Sequence, residues 1–210
     1  RLIAPMPKNL SYEQAASLPL VTLTAWEGLF DKVQIKETDR VLIMGGTGGV
    51  GHLALQLAKL KTPHVYATAS SEEKANVARD LGAKDVFNYR SPHFIKDALA
   101  ATDGQGFDIV YDTVGTSSLN AAFELARQYG HVLSCQMAST FDWSAAQGKS
   151  LSVHGVFMLL PMITGINREH HGKILRQVAG WVEEGRIKPL VDSVYSLHQA
   201  GEAHRRLESG

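Results

Sequence analysis

Short apolar runs alternate along the chain with longer segments in which apolar and polar residues mix. The short runs predict buried strands over residues 40–44, 64–69, 85–89, 107–111, 131–135 and 151–158. Helices are predicted over 49–61, 71–81, 92–101, 117–128, 168–184 and 197–208. Strands joined through helices of about ten or more residues pair in parallel through right-handed crossovers. The pattern therefore predicts an α/β fold, a doubly wound parallel sheet of six strands with helices on both faces.

The first thirty residues differ from this alternation. Ser11 and Gln14 form a capping-box pattern, and the apolar residues from Leu20 to Trp26 predict helices packed beside the sheet. We expect residues 1–210 to form one dinucleotide-binding domain, with 1–30 as the helices that lead into it. Because the chain begins at Arg1 and stops after a predicted helix end, we also expect it to be a fragment of a longer protein.

Composition narrows the class of protein. Lys plus Arg and Asp plus Glu each number 21, so nothing in the net charge favours binding to nucleic acid or an anionic membrane. The single cysteine, Cys135, excludes an internal disulfide framework and a four-thiolate zinc lobe. The longest apolar stretch, 156–163, is too short to cross a bilayer. With no secretory signal in view, the expected location is cytoplasmic.

The strongest motif follows the first predicted strand. Gly46, Gly48 and Gly51 match G-x-G-x-x-G, and the loop opens a predicted helix. Glycines allow a tight turn and a close approach of a pyrophosphate to main-chain N–H groups, and the helix N-terminus adds free donors and positive partial charge. The context predicts a Rossmann-type dinucleotide site. A glycine-rich turn without a ligand is the structural alternative.

Rival chemistries lack their residues. A P-loop needs Gly-Lys-Ser/Thr, but His52 and Leu53 follow Gly51. A short-chain reductase needs a lysine four residues after a tyrosine, and none of the six tyrosines has one. A G-x-S-x-G nucleophile elbow and a His-Glu-x-x-His motif are also absent, and the nine histidines show no ligand spacing, so no metal site is predicted.

The end of the second strand indicates which dinucleotide binds. A site selective for NAD usually carries Asp or Glu there, about 20 residues after the glycines. This chain has Ser70 and Ser71 instead, and Lys74 lies one helical turn further on. Small hydroxyl residues and a lysine favour the 2′-phosphate of NADP. Glu72 and Glu73 would oppose it unless they point into solvent, and Lys74 on a merely solvated helix face is the alternative.

Several segments together resemble a known family. Residues 45–59 (GGTGGVGHLALQLAK), 23–29 (LTAWEGL), 108–115 (DIVYDTVG) and 185–189 (GRIKP) are similar to the medium-chain dehydrogenase/reductase superfamily, in particular its zinc-independent quinone-oxidoreductase-like branch. The resemblance implies a catalytic domain before this segment and a last strand after it, both outside this chain. It also implies NADPH as the cofactor.

The resemblance further implies a role for individual residues. Thr24 would approach the nicotinamide, and the backbone around Phe157 would face its carboxamide. The residues implied at the pyrophosphate are Thr47, Gly48, Gly49 and Val50. Those implied around the 2′-phosphate are Ser70, Lys74 and Tyr89. Those implied beside adenosine and ribose are Val114, Gly115 and the segment that begins at Ser134. Thr24 bonded to its own helix and Tyr89 as a half-buried strand end are the structural alternatives.

The sequence thus supports more than one hypothesis. The first is the NADPH-binding domain of a reductase that transfers hydride to a small-molecule substrate, a quinone, enone or related carbonyl; such a fragment would not be expected to turn over alone. A zinc-dependent alcohol dehydrogenase of the same superfamily is the enzymatic alternative. A nucleotide-sensing protein without catalysis is the alternative of another class. The apolar edge strand 151–158 would be a liability unless it is paired, and the resemblance implies that it pairs across a two-fold axis in a homodimer.

Overall fold

The computed structural model describes residues 2–116, 118–138 and 140–209. Six strands form one parallel sheet, as the sequence predicted. Their order across the sheet is β3-β2-β1-β4-β5-β6. The strands are β1 (Val41–Met44), β2 (Val65–Ala69), β3 (Asp85–Asn88), β4 (Phe107–Asp112), β5 (Ala126–Ser134) and β6 (Ser152–Gly155). Strands β2 and β3 are added on one side of β1, and β4, β5 and β6 on its other side. Ligands of such sheets bind at the switch point between β1 and β4.

Helices cover both faces of the sheet. The helices are α1 (Tyr12–Ala16), α2 (Pro19–Trp26), α3 (Gly49–Lys59), α4 (Glu72–Asp80), α5 (Phe94–Ala100), α6 (Ser118–Leu125), α7 (Ser144–Gly148), α8 (Leu160–Thr164), α9 (Arg168–Glu183) and α10 (Ala200–Glu208). A π-helical turn (Glu27–Lys32) follows α2, and a 3₁₀ turn (Leu197–Gln199) precedes α10. One apolar core joins α2, α3, α4 and α9 to one face, and a second joins α5, α6 and α7 to the other.

Strands β1, β2 and β4 are almost entirely buried because both of their faces are covered. Side chains of β1 alternate between the two cores: Val41 and Ile43 enter one, Leu42 and Met44 the other. All four are buried. Burial of this kind, worth about 1.5–3 kcal/mol for each large side chain, is what fixes the register of the central strands.

Apart from shifts of one or two residues, three predicted boundaries are wrong. The helix predicted over 117–128 ends at Leu125, and its predicted start at 117 lies outside the described residues. Strand β5 begins at Ala126 rather than at 131, because Ala126 pairs with Phe107 across a bulge and the Lys149 ammonium binds the carbonyl oxygens of Phe123, Glu124 and Ala126. These contacts come from distant parts of the chain, so local pattern did not reveal them.

The third wrong boundary is that of the edge strand. The apolar run predicts a strand over 151–158, but the strand covers only Ser152–Gly155, since the paired residues on β5 end at Ser134. Beyond that point the chain leaves the sheet, with Val156 and Met158 buried and Phe157 exposed. The sequence also did not predict α7, α8 or the π-helical turn, which are short and lie between the longer elements.

The leading segment begins as predicted. The Ser11 hydroxyl accepts a hydrogen bond from the Gln14 N–H, and the Gln14 side chain accepts one from the Ser11 N–H, which closes the capping box. Within the described parts of the chain, none of the helices is long and apolar enough to cross a membrane.

Candidate nucleotide-binding site

The glycine loop connects β1 to α3 and is tied to the end of β2. Gly45 has a φ of +75°, which side chains resist, and its N–H donates to the Thr68 hydroxyl at 2.9 Å. The Gly46 N–H donates to the Thr68 carbonyl at 3.1 Å. A β-carbon on Gly51 would overlap the Gly45 carbonyl oxygen. The glycines therefore let α3 begin directly against the turn that ends β1.

The N-terminus of α3 opens at this loop. Its N-cap residue is Gly48, which has no side chain to cap the first turn. The first N–H groups of a helix have no partner within the helix, and the helix dipole adds partial positive charge there. Gly49 and Val50 begin the helix, so their N–H groups are among these donors. An unshielded helix N-terminus of this kind suits an anion such as a diphosphate.

A cleft of about 540 Å³ lies above this loop. It runs from the ends of β1 and β2 to the loop that follows β4. Its lining includes eight of the residues singled out in the sequence: Thr47, Gly48, Gly49, Val50, Ser70, Lys74, Tyr89 and Val114. The volume falls within the range of about 300–1,000 Å³ that is usual for small-molecule sites.

Lys74 stands in the first turn of α4. Its N–H donates to the Ser71 hydroxyl, which caps the helix, and its exposed side chain borders the cleft. Glu72 is paired with Arg79 at 2.6 Å and is exposed, as expected of an acidic residue that faces solvent. The pKa of the Asp192 carboxyl is lowered chiefly by hydrogen bonds from Arg206 and Ser193, and to a smaller extent by the nearby Lys74 ammonium.

Tyr89 follows β3 beside the end of β2, where its N–H donates to the Ala69 carbonyl at 3.2 Å. It is 47% exposed, and the Arg90 guanidinium is 5.9 Å from the centre of its ring. Together with Ser70 and Lys74, Tyr89 gives this end of the cleft hydroxyl and ammonium groups. None of the cleft-lining residues in the described part of the chain carries a carboxylate.

The remaining four candidates, Thr24, Gly115, Ser134 and Phe157, lie outside the described lining of the cleft. Thr24 is buried, and its hydroxyl donates to the Leu20 carbonyl at 2.9 Å, one turn back in its own helix. Its carbonyl accepts from the Tyr111 hydroxyl at 2.8 Å. Burial raises the pKa of Tyr111 well above its usual range. In this structure Thr24 thus makes the contacts of a structural residue.

Gly115 and Ser134 meet at one buried carboxylate that the sequence did not single out. The Asp112 carboxylate accepts from the N–H of Gly115 and Val114 and from the hydroxyls of Ser118 and Ser134, at 2.8–3.3 Å. Asp112 is completely buried at the end of β4. It fixes the loop that forms one wall of the cleft. Its position at the end of an apolar strand, three residues before a glycine, is the sequence feature from which its role could have been predicted.

A second link joins this loop to the glycine loop. The Thr113 hydroxyl donates to the Met44 carbonyl at 2.7 Å, and a β-carbon on Gly45 would lie 2.9 Å from the Val114 side chain. The two loops are therefore in van der Waals contact across the switch point. Thr113 was also missed, because its partner is 69 residues away in the sequence.

Phe157 follows β6 and is engaged with another element. Its N–H donates to the Glu27 carboxylate at 3.3 Å, and its carbonyl accepts from the Leu160 N–H at 3.0 Å. Its side chain is 53% exposed. A carboxamide that used this N–H would have to share it with Glu27 or displace Glu27. The sequence reasoning did not single out Glu27.

His52 and Cys135 lie close to the site but are not poised for chemistry. His52 is buried in α3, its Nδ1 lies 3.0 Å from the Gly48 carbonyl oxygen, and its Nε2 has no partner among the described residues. Burial lowers its pKa. Burial raises the pKa of the Cys135 thiol, and Asp112 raises it further, so the thiolate is disfavoured. Among residues that the structure describes, no group of three or more metal-ligating side chains comes together.

Comparison with known families and curated proteins gives consistent results. Residues 81–210 match the family described as zinc-binding dehydrogenase. A zinc-type alcohol dehydrogenase-like protein of Schizosaccharomyces pombe is 33% identical over 94% of this chain and 57% of its own length. Quinone oxidoreductase of Rattus norvegicus is 26% identical over 95% of this chain and 60% of its own length.

Much longer proteins also contain a similar segment. A phenolphthiocerol/phthiocerol polyketide synthase of Mycobacterium tuberculosis is 26% identical over all of this chain but only 10% of its own length. The chain thus spans from a tenth to about three fifths of these curated relatives.

Solved structures share the fold. An alcohol dehydrogenase superfamily protein of Novosphingobium aromaticivorans superposes with a TM-score of 0.91 at 36% identity, over 98% of this chain and 62% of that one. An NAD-dependent alcohol dehydrogenase gives 0.86 at 34% identity, over 98% and 58%. A quinone oxidoreductase of Pseudomonas syringae gives 0.84 at 29% identity, over 96% and 63%.

Proposed function

We propose, since the chain belongs to the zinc-binding dehydrogenase family of the medium-chain dehydrogenase/reductase superfamily, that it is the NADPH-binding domain of an oxidoreductase. The whole protein would transfer hydride to a quinone, an enone or a related carbonyl compound. The observation that carries this proposal is the cleft above the glycine loop. It combines an uncapped helix N-terminus with hydroxyl and ammonium groups at the end of β2.

The diphosphate of the cofactor would lie at the N-terminus of α3. There the first-turn N–H groups, among them those of Gly49 and Val50, face a site that no side chain of Gly48 obstructs. Thr47 adds a side-chain hydroxyl to the same lining. Charge-assisted hydrogen bonds of this kind contribute about 1.5–3 kcal/mol each, so a few of them are enough to anchor a dinucleotide.

The 2′-phosphate would lie between the ends of β2 and β3. Ser70 offers a small hydroxyl, Lys74 an ammonium and Tyr89 a phenol. A carboxylate at this position would instead bind the ribose hydroxyls and repel a phosphate. Asp192 opposes the proposal modestly, since it lies close enough to interact with Lys74. The two hydrogen bonds that it accepts from Arg206, at 2.8 and 3.0 Å, offset this by partly neutralising its charge.

Bound NADPH supplies the hydride, while the protein supplies position and electrostatics. Within this chain, the glycine loop and α3 hold the diphosphate, and Asp112 holds the loop against which the adenosine half rests. The exposed segment after β6 would stand beside the second half of the dinucleotide, in the role proposed for Phe157. Thr24 would act there through the position of its backbone, because its hydroxyl is bonded within α2.

Calorimetric titration of the chain with NADPH and with NADH tests the cofactor. We expect NADPH to bind at least tenfold more tightly, about 1.4 kcal/mol. NADH binding equally well or better would contradict the proposal and favour the alternative suggested by the NAD-dependent alcohol dehydrogenase that shares the fold. Failure of both to bind would contradict the dinucleotide site itself.

The substrate class is tested on the full-length protein. Consumption of NADPH, followed by its near-ultraviolet absorbance, should accelerate with quinones or enones and should survive treatment with a metal chelator. Activity on simple alcohols that is lost with the chelator would instead favour a zinc-dependent alcohol dehydrogenase, which the similarity to the Schizosaccharomyces pombe protein keeps open. Binding of NADPH without turnover of any substrate would favour a nucleotide sensor.

A homodimer through the edge strand is part of the proposal. Strand β6 is the last strand of the sheet, so one side of it has no neighbour in the described fold. Exposed apolar side chains follow it directly, at Leu160, Ile163 and Ile166. Pairing of β6 with β6 of a second copy would cover both the free edge of the strand and these apolar side chains. Light scattering at micromolar concentration should give the mass of two chains, and the mass of one chain would contradict it.

A further inference from the structure

In the second half of the sheet, the peptide of Phe157 is hydrogen-bonded to the side chain of Glu27. A doubly wound sheet of this order consists of two mononucleotide-binding halves, each of which presents one nucleotide site at its strand ends. The cleft with Ser70 and Lys74 belongs to the half formed by β1, β2 and β3. The second mononucleotide therefore faces the ends of β4, β5 and β6, and Phe157 follows β6 by two residues.

The segment after β6 is held by few polar contacts. The Val156 N–H donates to the Ser134 carbonyl at 2.9 Å, which continues the sheet by one residue. The next N–H, that of Phe157, donates to the Glu27 carboxylate. Val156 and Met158 are buried on either side, but the Phe157 side chain is more than half exposed, so its own packing does little to orient the Phe157 peptide. Glu27 is thus a side-chain tether of this peptide to the other wall of the site, 130 residues away in the sequence.

Glu27 stands on a rigid base. It begins the π-helical turn after α2, and its neighbour Gly28 lies so close to the Tyr111 ring that a β-carbon would come within 2.8 Å. The Tyr111 hydroxyl donates to the Thr24 carbonyl, which locks the end of α2 to β4. The Glu27 side chain is only 19% exposed and has Lys32 at 3.5 Å. Single π-helical turns often occur at functional sites, because they redirect side chains within a helix.

We propose that Glu27 is a positioning residue for the nicotinamide half of the cofactor: it holds the Phe157 peptide, and with it the segment after β6, in place, and that half docks against this segment without using the Phe157 N–H. The inference rests on the proposed function. A bond from a backbone N–H to a carboxylate is charge-assisted, so it orders this segment before the ligand arrives. Without Glu27 the ordering cost falls on binding of the nicotinamide half and leaves the adenosine half untouched.

Two ligands separate the halves. The first is NADPH, and the second is adenosine 2′,5′-bisphosphate, which carries the adenosine half and its 2′-phosphate but no nicotinamide. We expect Glu27→Ala to weaken NADPH binding about threefold to tenfold, the range that corresponds to ordering one short segment. Binding of adenosine 2′,5′-bisphosphate should change less than about twofold. Glu27→Gln, whose amide oxygen can still accept from the Phe157 N–H, should restore most of the NADPH affinity.

The matched control is Lys32→Ala, which removes the ion pair but keeps the Glu27–Phe157 bond. It should bind both ligands like the unchanged chain. Equal weakening of both ligands by Glu27→Ala, no weakening of NADPH, or failure of Glu27→Gln to restore it would each overturn the role of Glu27 and leave the proposed function standing. If the unchanged chain bound neither ligand, the proposed function would fail and the inference with it.

Discussion

The two halves of the sheet differ in how far the chain completes its own binding site. On the side of β1, β2 and β3, a cleft is lined by an uncapped helix N-terminus and by hydroxyl and ammonium groups. On the side of β5 and β6, the polar groups of Ser134 and Phe157 are bonded to Asp112 and Glu27, while apolar side chains of α8 lie in solvent. Large exposed apolar side chains are typical of surfaces that bind another protein or a ligand. The first half therefore lines a cleft with polar groups that remain available, whereas the polar groups of the second half are already bonded to one another.

The largest effect should come from the turn on which the first half depends. Gly51→Ala places a β-carbon against the Gly45 carbonyl oxygen, so α3 must shift away from β1. We expect a loss of about 3 kcal/mol in the free energy of unfolding, together with loss of NADPH binding. Thermal denaturation and calorimetric titration measure the two effects.

The control for that change is Gly180→Ala in the last turn of α9. Nothing lies within 4 Å of a β-carbon there. Alanine replaces glycine within a helix, so stability should rise by about 0.5–1 kcal/mol. If Gly51→Ala melted at the temperature of the unchanged chain, the close contact of loop and helix would not be the reason for a glycine at position 51.

The next effect concerns the carboxylate at the seam between the halves. Asp112→Asn keeps the shape but turns one acceptor oxygen into a donor, which faces N–H groups that also donate. We expect a loss of about 1–3 kcal/mol in stability. Since Asp112 fixes the loop of the cleft wall, NADPH and adenosine 2′,5′-bisphosphate should weaken alike, in contrast to Glu27→Ala. Asp80→Asn, on the exposed end of α4, is the control and should change neither quantity.

A substitution at the proposed 2′-phosphate site tests whether the first half of the sheet distinguishes NADPH from NADH. Lys74→Ala removes the ammonium beside the end of β2 and should weaken NADPH binding about tenfold to hundredfold, the worth of one charge-assisted hydrogen bond. Binding of NADH should be nearly unaffected. Lys96→Ala, an exposed lysine of α5, is the control. An equal loss for both dinucleotides would mean that Lys74 acts through general electrostatics.

The smallest effect is a dependence of stability on pH. Burial lowers the pKa of His52 below its usual value of 6.5, so the folded state favours the neutral ring. Its contribution is complete above pH 6.5 and is lost as the pH falls from there through the lowered pKa, because the unfolded chain then binds more protons. Contacts of the ring with the Gly48 and Gly49 backbone raise the pKa of His52, but by less than burial lowers it.

The measurement is the melting temperature between about pH 8 and pH 5, the range in which histidines titrate. It should fall toward the acid end, and His52→Gln should make the fall shallower. The slope should not vanish, because the pKa values of His154 and His171 are lowered too, chiefly by burial. A slope that His52→Gln leaves unchanged would assign the effect to those two residues.

The glycine loop illustrates what could be predicted from the sequence. Its residues, the strand before it and the helix after it are neighbours in the chain, so their pattern contained the turn, the helix N-terminus and part of the cleft lining. The end of α6 illustrates the opposite. The Lys149 ammonium binds carbonyl oxygens at the end of that helix although it lies more than 20 residues away in the sequence. No residue near position 125 indicates this contact.

The candidate site divides in the same way. Ser70 and Lys74 could be found because a missing carboxylate at a known offset is visible in the sequence. Asp112, Thr113 and Glu27 could not be assigned a partner in advance, because their hydrogen bonds join separate loops at the switch point. The edge strand is shorter than predicted for a related reason: its length is set by where β5 ends, and its own apolar residues continue beyond that point.

The sequence by itself determined the alternation of strands and helices, the glycine turn and the absence of an acid at the end of the second strand, since each depends on residues close together in the chain. The tertiary structure alone decided that a buried Asp112 would fix the wall of the cleft and that Glu27 would hold the segment after β6. Those contacts exist only because the parallel sheet brings the ends of its strands to one edge, and the distance along the chain between partners gives no local signal of their meeting.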